Sequence, residues 1–263
     1  MSTRPPVDSP PFLLRAMESR ALYEFGSFLA ASPFLRLIGR GDRHPVLVLP
    51  GFTADDRSTM PLRWFLRGQG YWTHGWSLGS NMGPTRRVVD GLGVRLAEVH
   101  ERHERPVTVI GWSLGGIYAR LLARRQPEMV RSVITLGSPF RMVDGDHSAA
   151  ERLWQSVEHR FPVSERAEMY LPEDDKPPLS VPSTAIYSRT DGVVRWYTCI
   201  ERAGELRENI EVRGSHSGLG WNPAVLVAIG DRLAQPEGTW RPFRPPFGTA
   251  HLFPRPDVYR QAA

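Results

Sequence analysis

The stretch Val107–Arg120, VTVIGWSLGGIYAR, constrains the chain more than any other. Val107 to Ile110 reads as a short buried strand, and Ile117, Tyr118, Leu121 and Leu122 follow at helical spacing. Between them lies GxSxG as Gly111-Trp112-Ser113-Leu114-Gly115, a pattern suited to holding Ser113 at the tip of a sharp strand-to-helix turn. Strand and helix can approach closely at such a corner only if the residues two before and two after the serine lack side chains, and Gly111 and Gly115 meet that need. A serine hydroxyl is a poor nucleophile unless it is exposed and a base can take its proton. The corner supplies the exposure, and the helix it opens aims its N-terminal amides at the same oxygen. The pattern points to chemistry at Ser113 rather than to a structural turn.

Around this corner short apolar runs alternate with helical patterns. Val46 to Leu49, Tyr71 to Trp76, Ser132 to Leu136, Thr184 to Tyr187 and Asn209 to Val212 read as strands. Arg63 to Gly68, Arg87 to Arg102, Leu114 to Arg125 and Pro223 to Leu233 read as helices. Such alternation predicts parallel βαβ units and a three-layer α/β domain over residues 44–234. Residues 139–181 interrupt the rhythm with the acidic, proline-rich patch PEDDKPP, a helix around Ala149 to Val157 and no strand of their own, and read as a cap or lid insertion. Residues 1–43 form an N-terminal extension. Its first twelve residues are proline-rich and expected to be loosely held; Leu13 to Leu29 follows as an amphipathic helix that packs on the domain, contact with a lipid surface being the rarer reading. Residues 235–263, rich in proline and aromatics, are expected to lie irregularly over the surface.

With 263 residues, 41% apolar and 23% charged, the chain can bury one sizeable core, which excludes disorder throughout, collagen and coiled coil. Cys199 is the only cysteine, so no intramolecular disulfide, thiolate zinc cluster or iron–sulfur site can be assembled. No HExxH, Walker loop or GxGxxG occurs, and no metal or cofactor is expected. The 33 basic residues, of which Lys176 is the only lysine, are interspersed with 28 acidic ones, and no basic run interleaved with aromatics suggests nucleic acid as a partner. No stretch approaches the roughly 20 apolar residues of a membrane span. The opening MSTRPPVDSPP lacks the apolar core of a secretory signal, so a cytoplasmic location is expected by default.

The corner, together with VLVLPGF at 46–52, STAIYSRTDGVV at 183–194 and NIEVRGSHSGLG at 209–220, resembles the α/β-hydrolase superfamily, and within it the small bacterial serine lipases and esterases. The resemblance runs from about His44 to Leu233 and implies a mostly parallel sheet flanked by helices. It implies that the first-strand loop and the residue after the nucleophile supply two oxyanion-hole amides, those of Phe52 and Leu114. Where these enzymes usually carry His-Gly, this chain has Pro50-Gly51; the donor is a main-chain N–H that a proline two residues upstream does not remove. The acid is expected after a later strand, at Asp191. An Asp-Gly pair is also a common turn, but the order Ser113, Asp191, His216 follows the chain order of this fold. His216, in the loop after the last strand, is then the general base. Of the other seven histidines, His74 is the serious rival because it lies in a strand-like segment, yet it precedes the serine.

The substrate is less legible. Trp112, Trp76 and Trp221, with Phe52, Leu114 and either Trp154 or Phe140, are candidates to line an apolar acyl pocket, against the ordinary reading of each aromatic as core. The expected activity is hydrolysis of a small-molecule or lipid carboxylic ester through an acyl-serine. Acyl transfer and thioester or amide hydrolysis by the same residues are the alternatives within enzymes, and a catalytically silent binding protein the alternative outside them.

Overall fold

Six strands, β1 (Pro45–Leu49), β2 (Trp72–Gly75), β3 (Val107–Trp112), β4 (Val130–Leu136), β5 (Ser183–Ser188) and β6 (Arg207–Val212), form one sheet in the computed structural model, which describes residues 7–35, 41–143, 145–164 and 171–254. Their order is β2-β1-β3-β4-β5-β6 and every neighbouring pair is parallel. Successive side chains point to opposite faces. Val46, Val48, Ile110 and Trp112 pack with Phe28 of α2 (Ala21–Leu35), Phe65 of α3 (Met60–Gly68) and Leu226 of the last helix (Pro223–Leu233). Leu47, Leu49, Val107 and Val109 pack with Leu92 and Leu96 of α4 (Arg86–His103) and Tyr118 of α5 (Leu114–Arg125). A sheet covered on both faces needs unbroken apolar strands, which is why these segments do not alternate with polar residues.

The winding reverses once: the chain passes from β1 outward to β2, then returns across β1 to begin β3 on its other side. Ligand sites in open α/β sheets lie outside the carboxyl ends of the strands at such a reversal. Here that crevice lies between the loop leaving β1, which holds Gly51 and Phe52, and the corner leaving β3, which holds Ser113.

The N-terminal segment departs from a single amphipathic helix. A short α1 (Phe12–Ala16) is followed by a 3-10 turn, Met17–Arg20, which resets the helical phase before α2. Leu13, Leu22 and Leu29, expected against the body, are 68%, 81% and 54% exposed, whereas Phe28 and the carboxylate-bearing Glu24 are buried. Helix α2 also continues past Leu29 to Leu35 with Pro33 inside it. Pro33 has no N–H for the Leu29 carbonyl, and the Ser32 hydroxyl donates to that oxygen instead at 2.9 Å. Nor is the described part of the first twelve residues loose: the Val7 amide donates to Asp146 Oδ1 at 3.0 Å, and the His147 amide donates to the Val7 carbonyl at 2.9 Å.

The described part of residues 139–181 contains α6 (Glu151–Val157), two short 3-10 turns and no strand; residues 165–170 lie outside the described residues. Buried Arg120 of α5 fastens this segment by pairing with Glu173 and, beyond β5, with Glu201, its guanidinium 3.9 Å from the Phe140 ring centroid. In the tail, Phe253 is buried against the last helix and the Phe243 ring at 4.8 Å; residues 255–263 lie outside the described residues. Among the described residues no helix is long and apolar enough to cross a membrane.

Candidate active site

Ser113 has φ 53° and ψ −121°, a conformation that costs a non-glycine residue on the order of 1–3 kcal/mol and persists only where the surroundings dictate it. The surroundings are explicit. A Cβ at Gly111 would lie 2.3 Å from the Gly115 carbonyl oxygen, and one at Gly115 would lie 2.4 Å from that of Leu49. The Ser113 amide donates to the Leu136 carbonyl at 2.8 Å, and its own carbonyl accepts from the Ser138 hydroxyl at 2.6 Å and the Gly116 amide at 2.9 Å. The corner is thus welded to β1 on one side and β4 on the other.

The β1 loop meets the serine directly, since a Cβ at Gly51 would lie 3.2 Å from Ser113 Cβ. Fully buried Asn81 holds this loop: its side-chain amide donates to the Pro50 carbonyl at 2.8 Å and its main-chain carbonyl accepts from the Thr53 amide at 2.7 Å. Sequence reasoning did not single out Asn81; an Asn in the loop after β2 carries no pattern that announces a partner some thirty residues upstream. The Phe52 ring packs edge-on to Trp154 of α6 at 5.3 Å, which couples the insertion to this loop. Among the described residues the amides of Phe52 and Leu114 donate to no acceptor.

Asp191 follows β5 and His216 follows β6, so both arrive at the carboxyl edge where Ser113 stands. His216 Nδ1 and Asp191 Oδ2 are 2.6 Å apart. The other carboxylate oxygen of Asp191 accepts from the amides of Val193 and Val194, both at 2.8 Å, which fixes the side chain in its loop. Burial of the imidazole disfavours its charged form, but the charge and hydrogen bond of Asp191, with a smaller contribution from Glu18, hold its pKa above the ordinary value. Gly137, just past β4, has a positive φ of 51°, and a Cβ there would lie 2.6 Å from Leu219 Cδ1 and 3.1–3.2 Å from His216 Nδ1 and Asp191 Oδ2, so a side chain at this position would crowd the pair. Neither Ser113 Oγ nor His216 Nε2 has a hydrogen-bond partner among the described residues. Such contacts are often long in the free state and tighten with substrate.

The base loop is built from outside itself. The Trp112 indole donates to the His216 carbonyl at 3.1 Å. Glu24 accepts from the Ser215 amide at 2.8 Å and hydroxyl at 3.1 Å. Glu18 accepts from the amides of His216, Ser217 and Gly192, each at 2.9 Å. Arg20 donates to the carbonyls of Thr190, at 2.5 Å, and Gly214, at 2.9 Å. Neither glutamate was visible as a site residue, because these loop partners lie more than 170 residues away, and in the sequence both glutamates read as part of a polar face mixed with arginine.

The three tryptophans offered for an acyl pocket are occupied by packing. Trp76 is fully buried and bonds the Gly79 carbonyl; Trp112 is 8% exposed beneath the base loop; Trp221 stacks edge-on to Trp112 at 5.6 Å and bonds the Ala21 carbonyl. The indoles of Trp76 and Trp112, placed this deep, present little surface to a substrate, whereas Trp221 is half-buried. The rival His74 stands on edge strand β2, its Nε2 2.8 Å from His103 Nε2 and with no carboxylate on its ring among the described residues, and burial together with that neighbour pushes its pKa down to about 4. Buried Cys199 lies behind Asp191, its thiol pushed far up by burial and that charge. Among the described residues no group of three or more His, Cys, Asp or Glu side chains is arranged to hold a metal ion.

No protein-family model and no curated protein matches the chain. Solved structures do. Aspergillus fumigatus lipase B superposes with a TM-score of 0.56 at 17% identity, over 75% of this chain and 54% of that one, so this chain spans about half the length of that enzyme. Paleococcus ferrophilus monoacylglycerol lipase gives 0.56 at 14% identity, over 74% and 96%. Bacillus licheniformis lipase BlEst2 gives 0.52 at 14% identity, over 72% and 91%. These likenesses and the parallel sheet between two helical layers define the class: the chain has the three-layer α/β-hydrolase fold.

Proposed function

We propose that the protein is a serine hydrolase acting on carboxylic esters, with Ser113 as nucleophile, His216 as general base and Asp191 as its orienting acid. Ser113 Oγ attacks the ester carbonyl carbon while His216 Nε2 takes its proton. Asp191 fixes the tautomer through Nδ1 and stabilises the imidazolium that forms. The amides of Phe52 and Leu114 receive the tetrahedral oxyanion, each worth about 10²–10³ in rate. His216 returns the proton to the departing alkoxide, and water, activated by the same imidazole, releases the acid from the acyl-serine.

The observation that carries this reading is the 2.6 Å Asp191–His216 pair at the sheet edge that also bears a serine strained to φ 53°. The fold neighbours named as lipases are in keeping with an ester substrate. The test is covalent labelling with a fluorophosphonate beside a panel of p-nitrophenyl esters, acyl thioesters and amides. Labelling at Ser113 and ester turnover are expected, and Ser113→Ala should abolish both, lowering turnover by at least about 10⁴ with the fold intact. Folded wild type that neither labels nor hydrolyses any ester would defeat the assignment. Faster turnover of thioesters or amides would keep the serine chemistry and move the substrate class.

A further inference from the structure

From the three amides gathered on one carboxylate we infer that Glu18 is a positioning residue for the Asp191–His216 pair, clamping the acid loop to the base loop from outside the repeating βα frame. The inference rests on the roles proposed for Asp191 and His216. Glu18 Oε1 accepts from Gly192, the residue after the acid, and from His216 itself; Oε2 accepts from Ser217. One side chain therefore fixes the main chain on both sides of the 2.6 Å contact. A change of about 1 Å in such a pair costs of order 10² in rate.

The arrangement is specific in three ways. First, a carboxylate is the side chain able to accept three N–H groups at once, having two oxygens and no donor. Second, the 3-10 turn at Met17–Arg20 carries Glu18 to the loops, and Arg20 and Glu24 on the same segment bind the flanking Gly214 and Ser215. Third, the backbone of α1 presses on the acid loop so closely that a Cβ at Gly192 would lie 2.3 Å from the Leu14 carbonyl oxygen. The charge has a second consequence. Glu18 is ionised more readily than an ordinary glutamate, because hydrogen bonds from Ser217, His216 and Gly192 outweigh its burial, and that negative charge favours the imidazolium. The charged and titratable groups around the ring are Asp191 and Glu18, with Glu24 and Arg20 beyond Glu18 and the protonated Cys199 beyond Asp191.

Glu18→Gln and Glu18→Asp in the full chain separate positioning from mere stability. The titration of His216 is followed by NMR of its ring, assigned by its loss in His216→Gln, beside the pH profile of kcat/KM on a p-nitrophenyl ester. Glu18→Gln is expected to lower the His216 midpoint and to lower the plateau of kcat/KM about tenfold, mostly in kcat. Glu18→Asp, which keeps the charge but not the reach, should restore the midpoint while the amides of Gly192, His216 and Ser217 exchange faster than wild type. A folded Glu18→Gln with wild-type midpoint and plateau overturns the inference, as does Glu18→Asp with unchanged exchange should the glutamine variant not fold. The NMR and exchange readings need no turnover, so a protein inactive on every ester would sink the proposed activity while those two readings still decide the clamp.

Discussion

The corner at Ser113 and the loop at His216 supply the two halves of one site in opposite ways. The corner is largely self-made: the glycines that permit it, the strand that feeds it and the helix that leaves it fall within Val107–Arg125, and its remaining bonds go to the adjacent strands. The loop is borrowed. Most of the polar main-chain groups from Gly214 to Ser217 are taken up from outside the loop, Gly214 by Ser188, Thr190 and Arg20 and the rest by Glu24, Glu18 and Trp112; Arg20, Glu24 and Glu18 come from a segment at the other end of the sequence. A buried backbone group must find a partner somewhere. When the local chain cannot provide one, distant side chains do, and the site then depends on the docking of a segment that contributes no reacting atom.

The difference sets what breaks each half. Gly111→Ala forces a Cβ to 2.3 Å from the Gly115 carbonyl oxygen, with backbone on both sides and nothing flexible to yield. The expected loss is about 3 kcal/mol, a Tm fall of roughly 6–12 °C for a chain of this size, with activity lost in the same variant; a Gly111→Ala protein of unchanged Tm would show that the corner is softer than its packing. Trp112→Phe probes the borrowed half. It keeps most of the ring in the core but leaves the His216 carbonyl only the long 3.4 Å contact from the Leu219 amide. A cost of about 1–2 kcal/mol and a roughly tenfold fall in kcat/KM, without change in fluorophosphonate stoichiometry, are expected in thermal melts and steady-state kinetics. Wild-type kcat/KM would mean the loop keeps its place without the indole.

The same contrast explains what could be read from the chain before folding. Strands buried on both faces announce themselves as apolar runs, and the strand–Gly–x–Ser–x–Gly–helix frame encodes its own geometry, so the sheet, its helices and Ser113 were legible. So were Asp191 and His216 as candidates, because each follows a strand and the chain order limits the choice. What stood hidden were the partners that act across the molecule: Glu18, Glu24 and Asn81 are single polar residues whose meaning appears only when the sheet brings their partners to them. The helical period of Leu13 to Leu29 misled for a related reason. Burying Glu24 and breaking the helix at Met17–Arg20 rotated the leucines outward, since two satisfied carboxylates at the loops outweighed a cleaner apolar face. Residue type alone did not foretell packing: Trp76 and Trp112 are buried, and the indoles of Trp76, Trp112 and Trp221 each donate to a main-chain carbonyl.

The smallest expected effect is a displacement rather than a loss, and it reports on the finished pair instead of either half. In the proposed role of general base His216 acts only when neutral, and its pKa is held above the ordinary imidazole value of about 6.5 because Asp191 outweighs the burial of the ring. On the acid side kcat/KM should therefore rise with pH through a midpoint above about 6.5. The sign for stability is the opposite. A group whose pKa is raised by folding binds its proton more tightly in the native state, so its contribution is complete below about pH 6.5 and fades as pH rises through the native pKa. Activity and this part of the stability thus move against one another over the same interval, and the pH of best turnover lies above that of tightest Asp191–His216 attraction. A kcat/KM profile paired with thermal melts across that interval reads both. An activity midpoint below 6.5 would mean that burial of the ring, and not the carboxylate beside it, governs the base.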